Sequence, residues 1–138
     1  MNFARRIVFD TGVLISAALR PQSIPALALE KALLQFELCM SAATWLELET
    51  VLRRPKFDAY LPGARRDAFL TGLLPHCQSF TVDLDINDCP DPKDNMFLAL
   101  ALVADAELIV SSDPHLTQMH PWRGIPIMPP AAFLVGIR

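Results

Sequence analysis

The chain has 138 residues, the size of one domain, and its composition of 52% hydrophobic and 20% charged residues excludes a disordered chain. Lys+Arg 12 against Asp+Glu 15 leaves a net charge of -3. That excludes a strongly basic protein held on nucleic acid by charge alone, but not an enzyme that reaches nucleic acid through a metal.

In chain order, Ile7-Val8-Phe9 reads as a short buried strand ending at Asp10. A loop or helical turn through Leu14 to Ala17 follows, and Pro21 stops it. Ala26, Leu29, Leu33 and Phe36 recur at helical spacing, with Pro25 suited to a first turn. Leu38-Cys39-Met40 reads as a second strand, and Ser41 as the cap of a helix whose apolar stripe is Trp45, Leu48, Val51 and Leu52. A third helical stretch runs from about Gly63 to Leu74 and stops at Pro75, and Phe80-Thr81-Val82 reads as a weak strand. Asp91-Pro92-Lys93-Asp94 opens a helix apolar on nearly every side, hence buried, with Asp105 as its C-cap. Leu108-Ile109-Val110 is the clearest strand and ends in Ser111-Ser112-Asp113. Ile125 to Met128 and a small helix near Ala131 to Val135 close the chain.

Short apolar strands alternating with helices predict a single α/β domain over residues 1–138, its parallel sheet covered on both faces. Cys39, Cys77 and Cys89 lie far apart in an odd number, which reads as a reduced cytoplasmic protein. No Cys/His cluster has zinc-ligand spacing, and no apolar run reaches the ~20 residues that span a bilayer.

Ligands of open α/β sheets bind beyond the carboxyl ends of the strands. Asp10 and Asp113 stand at that edge, Asp94 in the first turn of the helix feeding the Asp113 strand, and Glu47 and Glu49 on the helix after the second strand. Converging carboxylates repel one another unless a cation neutralises them, and hard oxygen donors select Mg²⁺ or Mn²⁺. No histidine or cysteine near these positions suggests a softer metal. Each acid also has a structural use: Asp10 as a turn cap, Asp91 and Asp113 as N-caps, Asp94 as a first-turn acid. Glu47 and Glu49 lie on opposite edges of the apolar stripe, and periodicity does not say which faces the pocket. Arg53, Arg54, Lys56, Arg65 and Arg66 concentrate five of the twelve basic residues in one segment, as phosphate contacts, a solvated helix surface or a grip on an acidic partner.

The segments IVFDTGVLISAAL, WLELETVLRRPKF, DPKDNMFLALA and LIVSSDPHL, in this order and spacing, resemble PIN domains. More narrowly, they resemble the bacterial PIN-family toxins of toxin–antitoxin systems, relatives of VapC-like toxins. The resemblance runs from about Ile7 to Met128. It implies a three-layer α/β/α sandwich around a central parallel sheet, and a Mg²⁺- or Mn²⁺-dependent endoribonuclease that leaves 5′-phosphate and 3′-hydroxyl ends. The family's four acids fall on Asp10, Glu47, Asp94 and Asp113, which would serve as metal ligands and catalytic residues. Asp91 matches a frequent extra acid, Ser111 the Thr or Ser before the fourth acid, and Thr11 the middle of the first motif. The family usually reads D-T-N there; this chain reads Asp10-Thr11-Gly12 and lacks the amide. The implied partners are RNA, a cognate antitoxin and a second copy of the chain. The alternative is a PIN-fold module with weakened catalysis that binds RNA or a partner. Asp-Thr-Gly also occurs in aspartic proteases, but that fold is all-β, and a receiver module would want a lysine where Pro129-Pro130 follows the last strand.

Overall fold

Phe9 is followed by a buried aspartate, and that junction organises the fold. The computed structural model describes residues 4–136, so positions 1–3 and 137–138 of the expected domain lie outside the described residues. Five strands, β1 (Arg6–Phe9), β2 (Glu37–Met40), β3 (Cys77–Ser79), β4 (Leu108–Val110) and β5 (Ile127–Met128), form one sheet in the order β3-β2-β1-β4-β5. Every pairing is parallel. The helices are α1 (Thr11–Leu19), α2 (Ile24–Gln35), α3 (Ala42–Leu52), α4 (Gly63–Leu73), α5 (Asn95–Ala104), α6 (Pro114–Thr117) and α7 (Pro130–Gly136).

Side chains alternate across each strand. Ile7 and Phe9 of β1, Leu38 and Met40 of β2, and Leu108 and Val110 of β4 enter one core with α1 to α4 and Phe133 of α7. Val8, Cys39, Ile109 and Ile127 enter the other, against Phe97, Leu98, Leu100 and Ala101 of α5. Both faces are therefore dry, which is why these strands read as unbroken apolar runs. The result is the expected α/β/α sandwich. α5 is buried along most of its length, although Val103 reaches solvent. Asp105 ends it in the left-handed conformation at φ 52° and ψ 48°. Leu98 and Leu100 have no exposed surface, and each contributes about 2 kcal/mol of burial.

Two expectations change. The segment after Asp10 is a nine-residue helix, because the Asp10 carboxylate accepts the Val13 N–H and caps it. β3 lies at Cys77–Ser79, three residues before the expected apolar run. β3 is an edge strand, where exposed Gln78 and Ser79 are tolerated, while Phe80 and Val82 pack against the α5 core from the loop that follows.

From β1 the chain builds outward through β2 to β3, then returns to place β4 on the other side of β1. The crevice between the carboxyl ends of β1 and β4 is thus the topological switch point, where open α/β sheets bind ligands. Among the described residues no single helix is long and apolar enough to cross a membrane.

Candidate metal centre

Register fixes the first two members of the site. Phe9 pairs with Val110, and the Asp10 N–H continues the ladder by donating to the Val110 carbonyl at 3.0 Å. Asp10 and Ser111 then face each other across the switch point, and the Ser111 hydroxyl donates to Asp10 Oδ2. Asp10 Oδ1 accepts from the Val13 N–H at 2.9 Å, so both carboxylate oxygens are held. The same Ser111 hydroxyl accepts the Asp113 N–H at 3.0 Å, which ties the strand end to the acid two residues on.

Asp113 caps α6 through the His115 N–H at 2.9 Å. Asp91 caps the 3-10 turn Pro92–Asp94 through the Lys93 N–H at 3.2 Å. Asp94 closes that turn and leads into α5, whose first residue, Asn95, accepts the Cys89 N–H at 2.8 Å and so anchors the incoming loop. Asp94 is nine-tenths buried, and its Oδ2 has no hydrogen-bond partner among the described residues; Thr11 Oγ1 is likewise buried without one.

Asp10, Thr11, Glu47, Asp91, Asp94 and Asp113 line one cleft of about 210 Å³, together with Gly12, Arg54 and Lys93. Glu47 faces this cleft; Glu49 is not among its lining residues. A larger cleft of about 560 Å³ lies beyond the Phe80–Asn87 loop, but among the described residues its one charged wall residue is Asp85. The chemistry therefore belongs to the smaller space. Among the described residues, ligand atoms of Asp91, Asp94 and Asp113 from its wall and of His115, which is not one of its lining residues, all lie within 4.8 Å of one another. His115 corrects the expectation that no histidine stands near the acids. An N-cap receives the N–H of the residue two positions on, so Asp113-Pro114-His115 places the ring beside the cap. Nδ1 of His115 lies 3.3 Å from Asp113 Oδ1.

The electrostatics are those of crowded acids. Burial pushes Asp94 up from 3.8 to about 7, with the hydrogen bond to Asp113 and the charges of Asp113, Asp91 and Asp10 adding to it. Burial also raises Asp10, against the bonds from Ser111 and Val13 that hold it down, and the Asp113 charge raises it further. Burial would raise Asp113 too, but the bond with Asp94, the His115 N–H and the His115 ring outweigh it and hold Asp113 below its ordinary range. Of this pair Asp94 thus favours its protonated form and Asp113 its charged form. An orphaned buried oxygen among hard carboxylate donors fits a divalent ion.

The basic segment does not converge on this cleft. Arg54 lines it, whereas Arg53 pairs with Asp67 at 3.8 Å, Arg66 with Asp58, and Lys56 lies over the Phe57 ring. Arg65 lines a groove of α1, α2 and α4. Lys93, not singled out from sequence, is the second basic residue of the cleft; its signal was its place between Asp91 and Asp94.

No curated protein matches the chain. Among solved structures it is similar to the crystal structure of VapBC2 from Rickettsia felis bound to a DNA fragment from their promoter. The TM-score is 0.59 at 11% identity, over 88% of this chain and 96% of that one, a likeness of fold. A family model described as PIN domain matches residues 6–115, and the chain belongs to the PIN domain family.

Proposed function

We propose that the chain is a Mg²⁺- or Mn²⁺-dependent endoribonuclease and the toxin of a type II toxin–antitoxin pair. The observation that carries this reading is the meeting of five carboxylates, one with an unpartnered buried oxygen, at the switch point of the sheet. Asp10, Glu47, Asp94 and Asp113 would hold the ion, with Asp91 beside them. When bound, a divalent ion supplies charge for the phosphoryl oxygens and activation of an attacking water. Ser111 holds Asp10 and the Asp113 backbone in place at the end of β4. Arg54 and Lys93 bring positive charge to the same cleft for the phosphates on either side of the cut.

The VapBC2 assembly is bound to DNA from its own promoter, and we extend such a pairing to this chain. Ile24, Leu27 and Leu34 of α2 are exposed apolar side chains of the kind an antitoxin or a second copy would cover. A cytoplasmic setting, which keeps Cys39, Cys77 and Cys89 reduced, belongs to the same proposal.

Purified chain should cut single-stranded RNA in Mg²⁺ or Mn²⁺ and lose at least about a hundredfold in rate in EDTA or as Asp94→Asn. Equal cleavage in EDTA would refute the reading. Gly12 favours the second one, a module that binds without cutting. It predicts RNA binding and metal binding with no cleavage in either ion.

A further inference from the structure

Among the described residues, those whose ligand atoms gather within 4.8 Å of one another are not the four acids of the family pattern. They are Asp91, Asp94, Asp113 and His115. We propose that His115 ligates, through an imidazole nitrogen, the cation held by Asp91, Asp94 and Asp113, and that this nitrogen makes the site prefer Mn²⁺ and later first-row ions to Mg²⁺.

The placement is built by the backbone. Asp113 caps α6, Pro114 fixes the first helical residue, and the His115 N–H closes the cap at 2.9 Å. The cap sets where the ring leaves the turn, and the half-exposed ring lies beside the carboxylate, with Nδ1 3.3 Å from Asp113 Oδ1. Asp94 points independently to a ligand: it is nine-tenths buried, lines the cleft, and has an oxygen with no donor among the described residues. A mixed set of three carboxylates and one imidazole differs chemically from an all-oxygen set. Mg²⁺ demands oxygen donors in a strict octahedron and keeps its water, whereas transition ions accept imidazole nitrogen. The nitrogen therefore adds affinity for one class of ion and little for the other.

This inference rests on the reading of the cleft as a metal site, and the test separates the two. Full-length chain is loaded with Mn²⁺, and electron spin-echo modulation reads nitrogen coupled to the ion, with ¹⁵N-histidine labelling to assign it. Calorimetry measures Mn²⁺ and Mg²⁺ affinities for wild type, His115→Ala and His115→Gln. The expected result is histidine nitrogen coupling in wild type and none in either variant. The ratio of Mn²⁺ to Mg²⁺ affinity falls about tenfold in both. Mn²⁺ bound without nitrogen coupling, or both affinities falling by one factor, overturns the imidazole and leaves the metal site standing. Failure of both ions to bind wild type overturns both. Metal-free melting curves show whether the variants fold, and the wild-type nitrogen signal decides the question without them.

Discussion

Asp94→Asn should stabilise the metal-free protein at pH 8. The wild-type carboxyl is raised from 3.8 to about 7, burial first and its acidic neighbours next. Below pH 3.8 both folded and unfolded chains hold the proton, and the site costs nothing. Between 3.8 and 7 the unfolded chain has lost the proton while the folded one keeps it, so stability falls as pH rises. Above 7 the folded carboxyl ionises as well, and the loss is complete and constant. The shift alone corresponds to at most about 4 kcal/mol. Against its own burial, Asp113 is held below its ordinary range by its bond with Asp94 and by His115, which returns part of that and leaves about 2 kcal/mol. For a domain of this size that is about 5–8 °C in melting temperature. The amide that replaces the carboxyl is neutral at every pH and can donate towards Asp113 as the protonated Asp94 does, although it carries a second N–H that the carboxyl lacks. Thermal unfolding in EDTA from about pH 4 to about pH 8 reads the effect. Wild type should melt progressively lower towards the alkaline end and recover when Mn²⁺ replaces the proton, while the variant falls less, keeping the slope that the raised Asp10 contributes, and gains less from the ion. A wild-type melting temperature independent of pH across this range, or a variant less stable than wild type at its alkaline end, would refute the reasoning.

Arg54→Ala should weaken RNA binding and lower the slope of log affinity against log salt by about 0.7, the loss of one phosphate contact on a single strand. Arg65→Ala, in the groove of α1, α2 and α4, should leave that slope unchanged, and equal slopes for the two variants would detach Arg54 from the substrate path. A Cβ at Gly12 would meet only Asp10 Oδ1, at an ordinary 3.7 Å. Gly12→Asn is therefore expected to fold, to gain about 0.5 kcal/mol from a less flexible unfolded chain, and to cut RNA faster; an unchanged rate would show that the missing amide does not limit the reaction.

The site was legible where it depended on neighbours in sequence. Asp10, Asp94 and Asp113 each follow a strand or open a helix, and apolar runs reveal those junctions. Glu47 needed the family pattern, because helical periodicity places Glu47 and Glu49 on two edges of one stripe without saying which edge meets the sheet. The basic segment spreads over several surfaces because closeness along the chain is not closeness in space. Between Arg54 and Arg65 the chain makes a 3-10 turn at Pro55–Phe57 and starts a new helix, which carries Arg65 and Arg66 to other surfaces. β3 escaped because an edge strand satisfies one side only and need not be apolar. His115 escaped because metal-ligand spacing was sought among Cys and His, when the ring was placed by a cap.

That cap explains why the structural and functional uses of the acids were never rivals. Asp10, Asp91 and Asp113 each accept one backbone N–H, from Val13, Lys93 and His115. The bond orients each carboxylate at the mouth of the switch point and offsets part of its charge. A capping aspartate would thus be a ligand fixed in advance, since the helix it starts holds it where the sheet ends. Asp94 is the exception. It caps α5 with no side-chain bond, and its Oδ2 has no donor among the described residues. The three capped acids have a backbone partner without a metal, whereas Asp94 Oδ2 has none among the described residues. Asp94 is therefore the residue through which the cleft's electrostatics should report an ion, and the group on which the coupling of ion binding to folding depends.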